Sequence, residues 1–385
     1  MSKTFLKIIS VLSLLLPAAA SADVNVAVIA PKAGEYKSFG DEIISGVRIA
    51  VEDINARGGL NGEKINLITV DDQCDDRLAV STAQMMAVNT SPKDKMSLVI
   101  GPYCDNAFDE VAAIYAKANI FQIIPTTISA REATKNHKGL VKMVGYKDRQ
   151  GKDFYNYYKN NFADKRVALV YDSNNREIVE IAAAIQGEFR KEGDADKLRA
   201  FSFETYNQNY GRLAGAIFKN NIDLAYILGK SRSIAKLSKE LKSEKKDFVI
   251  FTNKYQAQDD FNRIMGDLAE GSYFIALPSL KDNPNFAETL VKLRLLGVEP
   301  EGLSVYGYSA VKLWEELVEK ADSFSYNKLA SVLNSQSVDT GWGETMFNNG
   351  NPQNSINYGI YQLQSGEYTP VSYTHLRAHE TLSDL

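Results

Sequence analysis

The sequence predicts an α/β protein with two doubly wound lobes, each built on a parallel sheet. Short apolar, β-branched segments alternate with segments whose apolar residues recur at helical spacing, and this alternation occurs in two successive series. The strand segments are apolar almost throughout, as expected where helices cover both faces of a sheet, so their pairing should be parallel. A length of 385 residues also suits two domains.

Each series has its own set of predicted elements. The first predicts strands at 24–30, 64–70, 97–100 and 120–124, and helices at 41–56, 79–88 and 109–118. The second predicts strands at 167–171, 200–203, 224–228 and 248–251, and helices at 177–191, 210–220 and 233–241. A strand at 273–276 and helices at 286–296 and 304–320 follow.

The composition is that of a globular protein. Hydrophobic residues make up 44% of the chain and charged residues 24%, which excludes disorder as its main state. No internal stretch approaches 18 uninterrupted apolar residues, so a multi-span membrane protein is excluded as well. The formal net charge of −4 leaves no basic surplus to neutralise phosphates, and no nucleic-acid partner is expected.

Residues 1–22 have the pattern of a cleavable signal peptide. Two lysines precede the apolar run 8–16, and the small residues at 20–22 suit cleavage. The apolar run is too short to span a bilayer, which disfavours a retained anchor, and no cysteine marks a lipoprotein site. We therefore expect cleavage near Ala22 and a mature chain that folds outside the cytoplasm.

Residues 371–385 resemble foreign sequence. The run 372–381 is similar to the translation of a common transposase-type sequencing adapter, so we expect a disordered read-through artefact; a natural, poorly ordered tail is the alternative. His375 and His379 lie four residues apart, a spacing that suits a metal site on a helix. Without this tail only His137 remains, so no metal site is expected.

The chain has two cysteines, Cys74 and Cys104. Both follow predicted parallel strands, whose neighbouring ends would bring the thiols together, and an exported chain meets an oxidising compartment. We therefore expect a disulfide, which by loop-closure entropy contributes roughly 3–4 kcal/mol for a loop of about 30 residues. A catalytic thiol is the alternative, and only His137 could serve as its base.

The acidic loop 71–76 has two interpretations. Its carboxylates suit calcium, although the spacing differs from that of an EF-hand and the turn lacks a glycine. Aspartates that cap a helix in a solvated loop are the other interpretation. Elsewhere the sequence lacks a Walker A motif, a dinucleotide-binding glycine pattern and a Gly-x-Ser-x-Gly elbow, so neither a cofactor nor enzymatic activity is expected.

Candidate ligand contacts lie in the loops that follow predicted strands. Open α/β sheets bind ligands at the carboxyl ends of their strands, where helix N-termini offer free N–H groups to anions. This rule selects the segments 32–39, 102–106, 125–129, 172–176, 229–231 and 252–255.

Several segments resemble a known family. Residues 41–62, which include Gly46, Ala50 and the run 53–55, are similar to the G-x-x-x-A-x-x-D-I-N-x-x-G-G-I-x-G segment of type I periplasmic binding proteins of the Leu/Ile/Val type. The loops around the two cysteines resemble the disulfide loops of that family, and 337–340 resembles its last crossover. The similarity covers residues 23–370 and is most specific in the first third.

The resemblance implies two lobes, joined by a hinge of three crossings, that close on a small-molecule ligand. Lobe one would comprise 23–144 and 273–345, and lobe two 145–272 and 346–370. The protein, a periplasmic monomer, would deliver an amino acid of the branched-chain type, or a related organic acid, to an ABC permease in the inner membrane. A sensor that signals to a separate partner and an exported α/β enzyme are the alternatives.

The resemblance also implies a set of ligand contacts: Phe39, Asp105, Asn106, Thr126, Thr127, Ile128, Ser129, Arg176, Lys230, Thr252 and Asn253. Asp105 stands where the family has a serine for the ligand's carboxylate, and Ile128 where it has a hydroxyl. The acid that pairs with the ligand's ammonium corresponds to Thr252 or Asn253, neither of which is acidic. A buried ammonium without a carboxylate partner is costly, so a leucine-like pose would require Asp105 in that role.

Arg176 and Lys230 stand where the family has two tyrosines in its second lobe, and Phe39 stands where the family has a tyrosine in its first lobe. If both basic side chains face the cleft, they favour a ligand with an extra anionic group or a small organic acid, because arginine can bind a carboxylate through two hydrogen bonds. The alternative places both side chains at the solvent-exposed rim.

Overall fold

The structure, a computed structural model, describes most of the chain between residues 24 and 372. The described ranges are 24–34, 36–88, 95–105, 107–204, 209–279, 286–295, 302–341, 343–354 and 356–372, without the side chains of 258 and 259. These residues form two lobes, each around its own largely parallel sheet, which confirms the predicted α/β class. The predicted signal peptide, Asn106 and residues 373–385 lie outside these ranges.

The first lobe is built on a five-stranded parallel sheet. Its strands are β1 (Val24–Ile29), β2 (Ile65–Val70), β3 (Met96–Ile100), β4 (Phe121–Ile124) and β5 (Leu140–Lys142), and its first helices are α1 (Lys37–Ala56), α2 (Asp76–Ala87) and α3 (Phe108–Lys117). The strand order is β2-β1-β3-β4-β5. Every residue of β1 is buried, as the unbroken apolar run predicts for a central strand covered on both faces.

The second lobe repeats this arrangement. Its elements are α4 (Arg149–Asn161), β6 (Val167–Asp172), α5 (Arg176–Lys191), β7 (Leu198–Phe203), α6 (Tyr210–Phe218), β8 (Leu224–Leu228), α7 (Ser231–Glu244), β9 (Val249–Asn253), α8 (Lys254–Met265) and β10 (Tyr273–Ala276). Strands β7, β6, β8, β9 and β10 are parallel neighbours in that order.

The rest of the described chain completes both lobes. The first lobe receives α9 (Ala287–Leu295), α10 (Leu303–Ala321), α11 (Tyr326–Ser335) and the short strands β11 (Val338–Asp339), β12 (Glu344–Thr345), β13 (Phe347–Asn348) and β14 (Asn351–Pro352). The second sheet receives β15 (Gly359–Gln364) and β16 (Glu367–Ser372), which pair antiparallel beside β10. The chain therefore crosses between the lobes three times, after β5, β10 and β14.

The lobe boundaries differ from the predicted ones. Strand β10 pairs with β9 in the second sheet, so the second crossing follows Ala276 rather than preceding 273. The amide of Lys142 donates to the carbonyl of Gly350 at 2.8 Å, so the chain is still on the first lobe beyond 345. The last strand includes Val371 and Ser372, two residues that we expected to be part of a disordered tail. The sequence pattern identifies a strand but does not say which sheet it joins.

Helices α1 and α10 pack closely in the first lobe. A Cβ on Gly46 would lie 1.8 Å from the carbonyl oxygen of Ser304, and one on Gly307 would lie 2.4 Å from that of Ile43. The two helices approach this closely only because both positions lack a side chain. They are the longest of the described helices. Neither these two nor any other helix in the described ranges has both the length and the apolar character to cross a membrane.

Candidate functional site

A cavity of about 230 Å³ lies between the two lobes, at the carboxyl ends of both sheets. The first lobe contributes Tyr36, Phe39, Tyr103, Thr126, Thr127 and Leu303, and the second contributes Asn175, Glu177, Ile178, Ser231, Tyr255 and Gln256. Lys147 and Gln150 reach it from the first crossing and the start of α4. Both lobes therefore form its walls, so separating the lobes would open it.

Five of the predicted contacts line this cavity: Phe39, Thr126, Thr127, Lys230 and Asn253. They lie at the strand-end loops and the beginning of α1, which the rule for open α/β sheets selected. Asn253 is the last residue of β9, and its Oδ1 accepts from the amide of Tyr255 at 2.9 Å, which caps α8.

Four other predicted contacts do not line the cavity: Asp105, Ile128, Ser129 and Thr252. Thr252 precedes Asn253 in the same strand, and because side chains alternate along a strand it is buried in the interior. Ile128 is buried as well, with its amide donating to the carbonyl of Gly145 at 3.1 Å.

Arg176, the remaining predicted contact, lies at the rim. Its guanidinium forms an ion pair with Glu132 of the opposite lobe, and its side chain is 67% exposed. It does not line the cavity. Of the two basic residues predicted to face the ligand, the structure places only Lys230 at the cavity wall.

Lys147 joins the two lobes through a pair of carboxylates. Its Nζ lies 3.0 Å from Asp105 Oδ2 of the first lobe and 3.2 Å from Glu177 Oε1 in the first turn of α5. The side chain is only 12% exposed. Burial alone would lower the pKa of the Lys147 ammonium, but Glu177, Asp105 and Tyr103 raise it above its ordinary value. Lys147 is therefore charged throughout the neutral pH range.

A second polar contact between the lobes lies beside this ion-pair cluster. The hydroxyl of Ser129 donates to the carboxylate of Glu180, whose oxygens lie 2.6 and 2.7 Å away. Glu177 and Glu180 are three residues apart on α5, so both lie on the face that meets the first lobe. The amide of Ser129 also donates to Asp105 Oδ2 at 2.6 Å, which orients that carboxylate toward Lys147.

Aromatic rings form one wall of the cavity. The rings of Phe39 and Tyr103 stack with centroids 5.8 Å apart, and Tyr36 lies 6.1 Å from Tyr103. The ring of Tyr255 in the second lobe forms a T-shaped pair with that of Phe39, with centroids 6.1 Å apart. This wall suits an apolar or aromatic portion of a ligand.

Two polar side chains of the cavity lack a protein partner. Thr126 is 4% exposed, and within the described ranges its Oγ1 has no hydrogen-bond partner. The Oε1 of Gln256, in the first turn of α8, has none there either. Buried polar atoms are normally satisfied, so this hydroxyl and this amide oxygen are available at one cavity to hydrogen-bond a bound molecule or ordered water.

Several lining residues were absent from the sequence-based prediction. Lys147 and Gln150 follow β5, a three-residue strand too short for its periodicity to be recognised. Glu177 and Gln256 lie in the first turns of helices, immediately beyond the segments that were considered. Tyr358 precedes β15, and its hydroxyl donates to Thr127 Oγ1 at 3.2 Å. Extending the strand-end rule by one helical turn would have identified Glu177 and Gln256.

The predicted disulfide between Cys74 and Cys104 is present, with the two Cα atoms 5.3 Å apart. It joins the loops that follow β2 and β3. Cys104 lies between Tyr103, which lines the cavity, and Asp105, which holds Lys147. The disulfide therefore anchors a segment of the cavity wall.

The acidic loop before α2 caps that helix. Asp75 Oδ1 accepts from the amides of Arg77 at 2.9 Å and Leu78 at 3.0 Å, which supports the capping interpretation. In the part of the chain that the structure describes, no group of three or more His, Cys, Asp or Glu side chains is arranged to hold a metal ion.

Comparison with known proteins places these features in a family. The family described as periplasmic binding protein matches residues 23–367. An amino acid binding protein of Pseudomonas aeruginosa is 25% identical over 352 residues, which cover 91% of this chain and 92% of the relative. The Leu/Ile/Val-binding protein of Escherichia coli is 23% identical over 340 residues, covering 88% and 90%.

The fold comparison agrees. The crystal structure of a leucine-binding protein from Thermotoga maritima has a TM-score of 0.73 with this structure, at 20% sequence identity. The likeness covers 91% of this chain and 98% of that one, so the two share their fold. Since the family matches nearly the whole chain and the two lobes enclose a cavity at their strand ends, the chain belongs to the periplasmic binding protein family.

Proposed function

We propose that this protein is the periplasmic solute receptor of an ABC importer and that its solute is a small α-amino acid. The cavity between the lobes carries the proposal, because both lobes supply its polar groups. The hydroxyl of Thr126 in the first lobe, which has no partner among the described residues, can donate to a carboxylate. In the second lobe, the Glu177 carboxylate and Gln256 Oε1, for which the described side chains offer no donor, can accept from an ammonium.

A zwitterion fits these groups better than a dicarboxylate. Arg176 pairs with Glu132 at the rim, so an extra anionic group on the ligand would have only Lys230 of the two predicted basic residues, and it would share the cavity with the Glu177 carboxylate. The aromatic wall of Phe39, Tyr103 and Tyr255 suits an apolar side chain. The related proteins named above, which bind leucine, isoleucine, valine or other amino acids, support the same class of solute.

A thermal-shift screen of the purified protein, stripped of bound solute by denaturation and refolding, tests the proposal. The panel contains leucine, isoleucine, valine, phenylalanine, glutamate, benzoate and glutarate. A ligand at about 100 times its dissociation constant should stabilise the folded protein by about 2.7 kcal/mol. We expect a shift with at least one neutral amino acid and a smaller shift in Thr126→Val, which lacks the unpaired hydroxyl. Shifts with benzoate or glutarate alone would contradict the amino-acid assignment.

Delivery to an importer requires a separate test. The cognate permease and ATPase, reconstituted in vesicles, should hydrolyse ATP faster when the receptor and its solute are both added. Binding of a solute without any effect on ATP hydrolysis would argue against uptake as the role of this protein.

A further inference from the structure

We infer that Glu177, in the first turn of α5, is the residue that receives the ammonium group of the ligand. This assignment rests on the proposed function, because it requires a solute with an ammonium. It differs from the position implied by the family resemblance, which is near Thr252 and Asn253 at the end of β9. The acidic partner has a different location in this chain.

The end of β9 offers no charged partner for an ammonium. Thr252 is fully buried and does not line the cavity. Both ends of the Asn253 amide are used within the protein, since Nδ2 donates to Gln150 Oε1 at 3.3 Å and Oδ1 accepts from the amide of Tyr255 at 2.9 Å. Neither residue carries a negative charge.

Glu177 has the position and the exposure that this role requires. Its side chain lines the cavity and is 42% exposed, so a bound molecule can reach it. The contact of Oε1 with Lys147 Nζ at 3.2 Å holds the carboxylate at the cavity wall. A carboxylate has about four acceptor sites, so this contact leaves capacity for a ligand N–H group.

The ion-pair cluster around Lys147 contains more carboxylates than ammonium groups, although Lys230 also lines the cavity. One ammonium faces two carboxylates, those of Asp105 and Glu177. Asp105 does not line the cavity, and its Oδ2 also accepts from the amide of Ser129. Of the two carboxylates, Glu177 is therefore the one that can meet the positive end of a ligand.

Other groups at the cavity define a consistent orientation for the ligand. Gln256 Oε1, a second acceptor of the second lobe, has no protein partner in the described part of the chain. The hydroxyl of Thr126, likewise without a partner in the described ranges, lies on the first lobe. An α-amino acid would thus direct its ammonium to α5 and α8 and its carboxylate to the loop after β4, so it would contact both lobes.

Calorimetric titration of the full protein and of Glu177→Gln tests this assignment. The probes are three pairs that differ in the ammonium: leucine with 4-methylpentanoate, phenylalanine with 3-phenylpropanoate, and glutamate with glutarate. We expect the unmodified protein to bind at least one amino acid more tightly than its des-amino partner. Glu177→Gln should weaken the binding of that amino acid by roughly 10- to 150-fold, as expected for a lost hydrogen bond to a charged group. Its affinity for the des-amino partner should stay within about twofold of that of the unmodified protein.

Glu188→Gln is the matched control, because it makes the same change on the same helix at a residue that pairs with Lys191 and does not line the cavity. It should change neither the affinity for the amino acid nor the affinity for its des-amino partner. The assignment would be overturned if Glu177→Gln lost the same affinity for both members of a pair, or if its affinity for the amino acid were unchanged. Tighter binding of the des-amino acids than of the amino acids would also overturn the assignment of Glu177, but the protein would still be a solute receptor. If no probe binds the unmodified protein and no amino acid shifts its melting in the thermal-shift screen, the amino-acid solute itself is refuted, and the assignment of Glu177 with it.

Discussion

Removing the disulfide tests whether loop closure accounts for its contribution to stability. The perturbation is the double variant Cys74→Ala with Cys104→Ala. The bonded residues are 30 positions apart. With that length, the loss of loop-closure entropy in the unfolded chain corresponds to about 3.7 kcal/mol at 25 °C. Cys74 has a φ of 53°. Alanine there meets the same left-handed strain as cysteine, so the substitution leaves that cost unchanged.

The assay is equilibrium unfolding in urea, followed by fluorescence and by circular dichroism. The double variant should lose about 3–4 kcal/mol of unfolding free energy relative to the oxidised protein. Adding a reductant should lower the stability of the unmodified protein to a similar extent and leave the variant unchanged. A loss under about 1 kcal/mol would refute the entropic reasoning, because it would mean that the unfolded chain is already restrained between these loops.

The same variant should also bind its solute more weakly. The bond anchors the loop that carries Tyr103 at the cavity and Asp105 beside Lys147. Releasing that loop adds an ordering cost to ligand binding. Calorimetric titration should therefore show a higher dissociation constant for the variant, whereas equal affinities would show that other contacts hold the loop in place.

Three further substitutions give separate outcomes. Gly46→Ala would place a Cβ 1.8 Å from the carbonyl oxygen of Ser304, so α1 and α10 must separate, and urea unfolding should show a loss of about 1–3 kcal/mol. Burial raises the pKa of Asp153 to about 6 from 3.8, so the folded state holds this proton more tightly and loses stability as the pH rises between about 4 and 6. The free energy of unfolding of Asp153→Asn should therefore be up to about 3 kcal/mol higher than that of the unmodified protein at pH 7 and equal to it at pH 3. Equal unfolding curves at pH 7 would contradict this. Ser129→Ala removes the hydroxyl that donates to the Glu180 carboxylate when the lobes close. Calorimetry should therefore show about tenfold weaker solute binding. An unchanged affinity would mean that water replaces the hydroxyl.

The alternation of strands and helices from β1 to β9 was predictable for a physical reason. Strands covered on both faces must be apolar at every position, and this produces runs that stand out from the helices between them. The short strands could not be found in this way, since β5 has three residues and β11 to β14 have two each. The sheet that β10 joins depends on pairing with β9, which its own four residues do not encode.

The site was predictable to the extent that topology determines it. Strand ends locate ligand contacts in this fold class, and Thr126, Thr127 and Asn253 lie at the cavity as that rule requires. Which of two adjacent residues faces the ligand depends on side-chain alternation, and this separates Asn253 from Thr252. The contribution of Lys147 depends on the geometry of a crossing between lobes, which the sequence alone does not specify.

The discontinuous lobes have a consequence for the nascent chain. The amide of Leu303 in α10 donates to Glu42 in α1 at 2.7 Å, across 261 positions of sequence. The apolar face of α1 therefore finds its cover only when most of the chain has followed it out of the cytoplasm, and the second sheet lacks β15 and β16 until the last described strands arrive. Contacts of such long range form slowly, so the unfolded chain exposes apolar surface until these late segments are available, and surface of this kind is prone to aggregate.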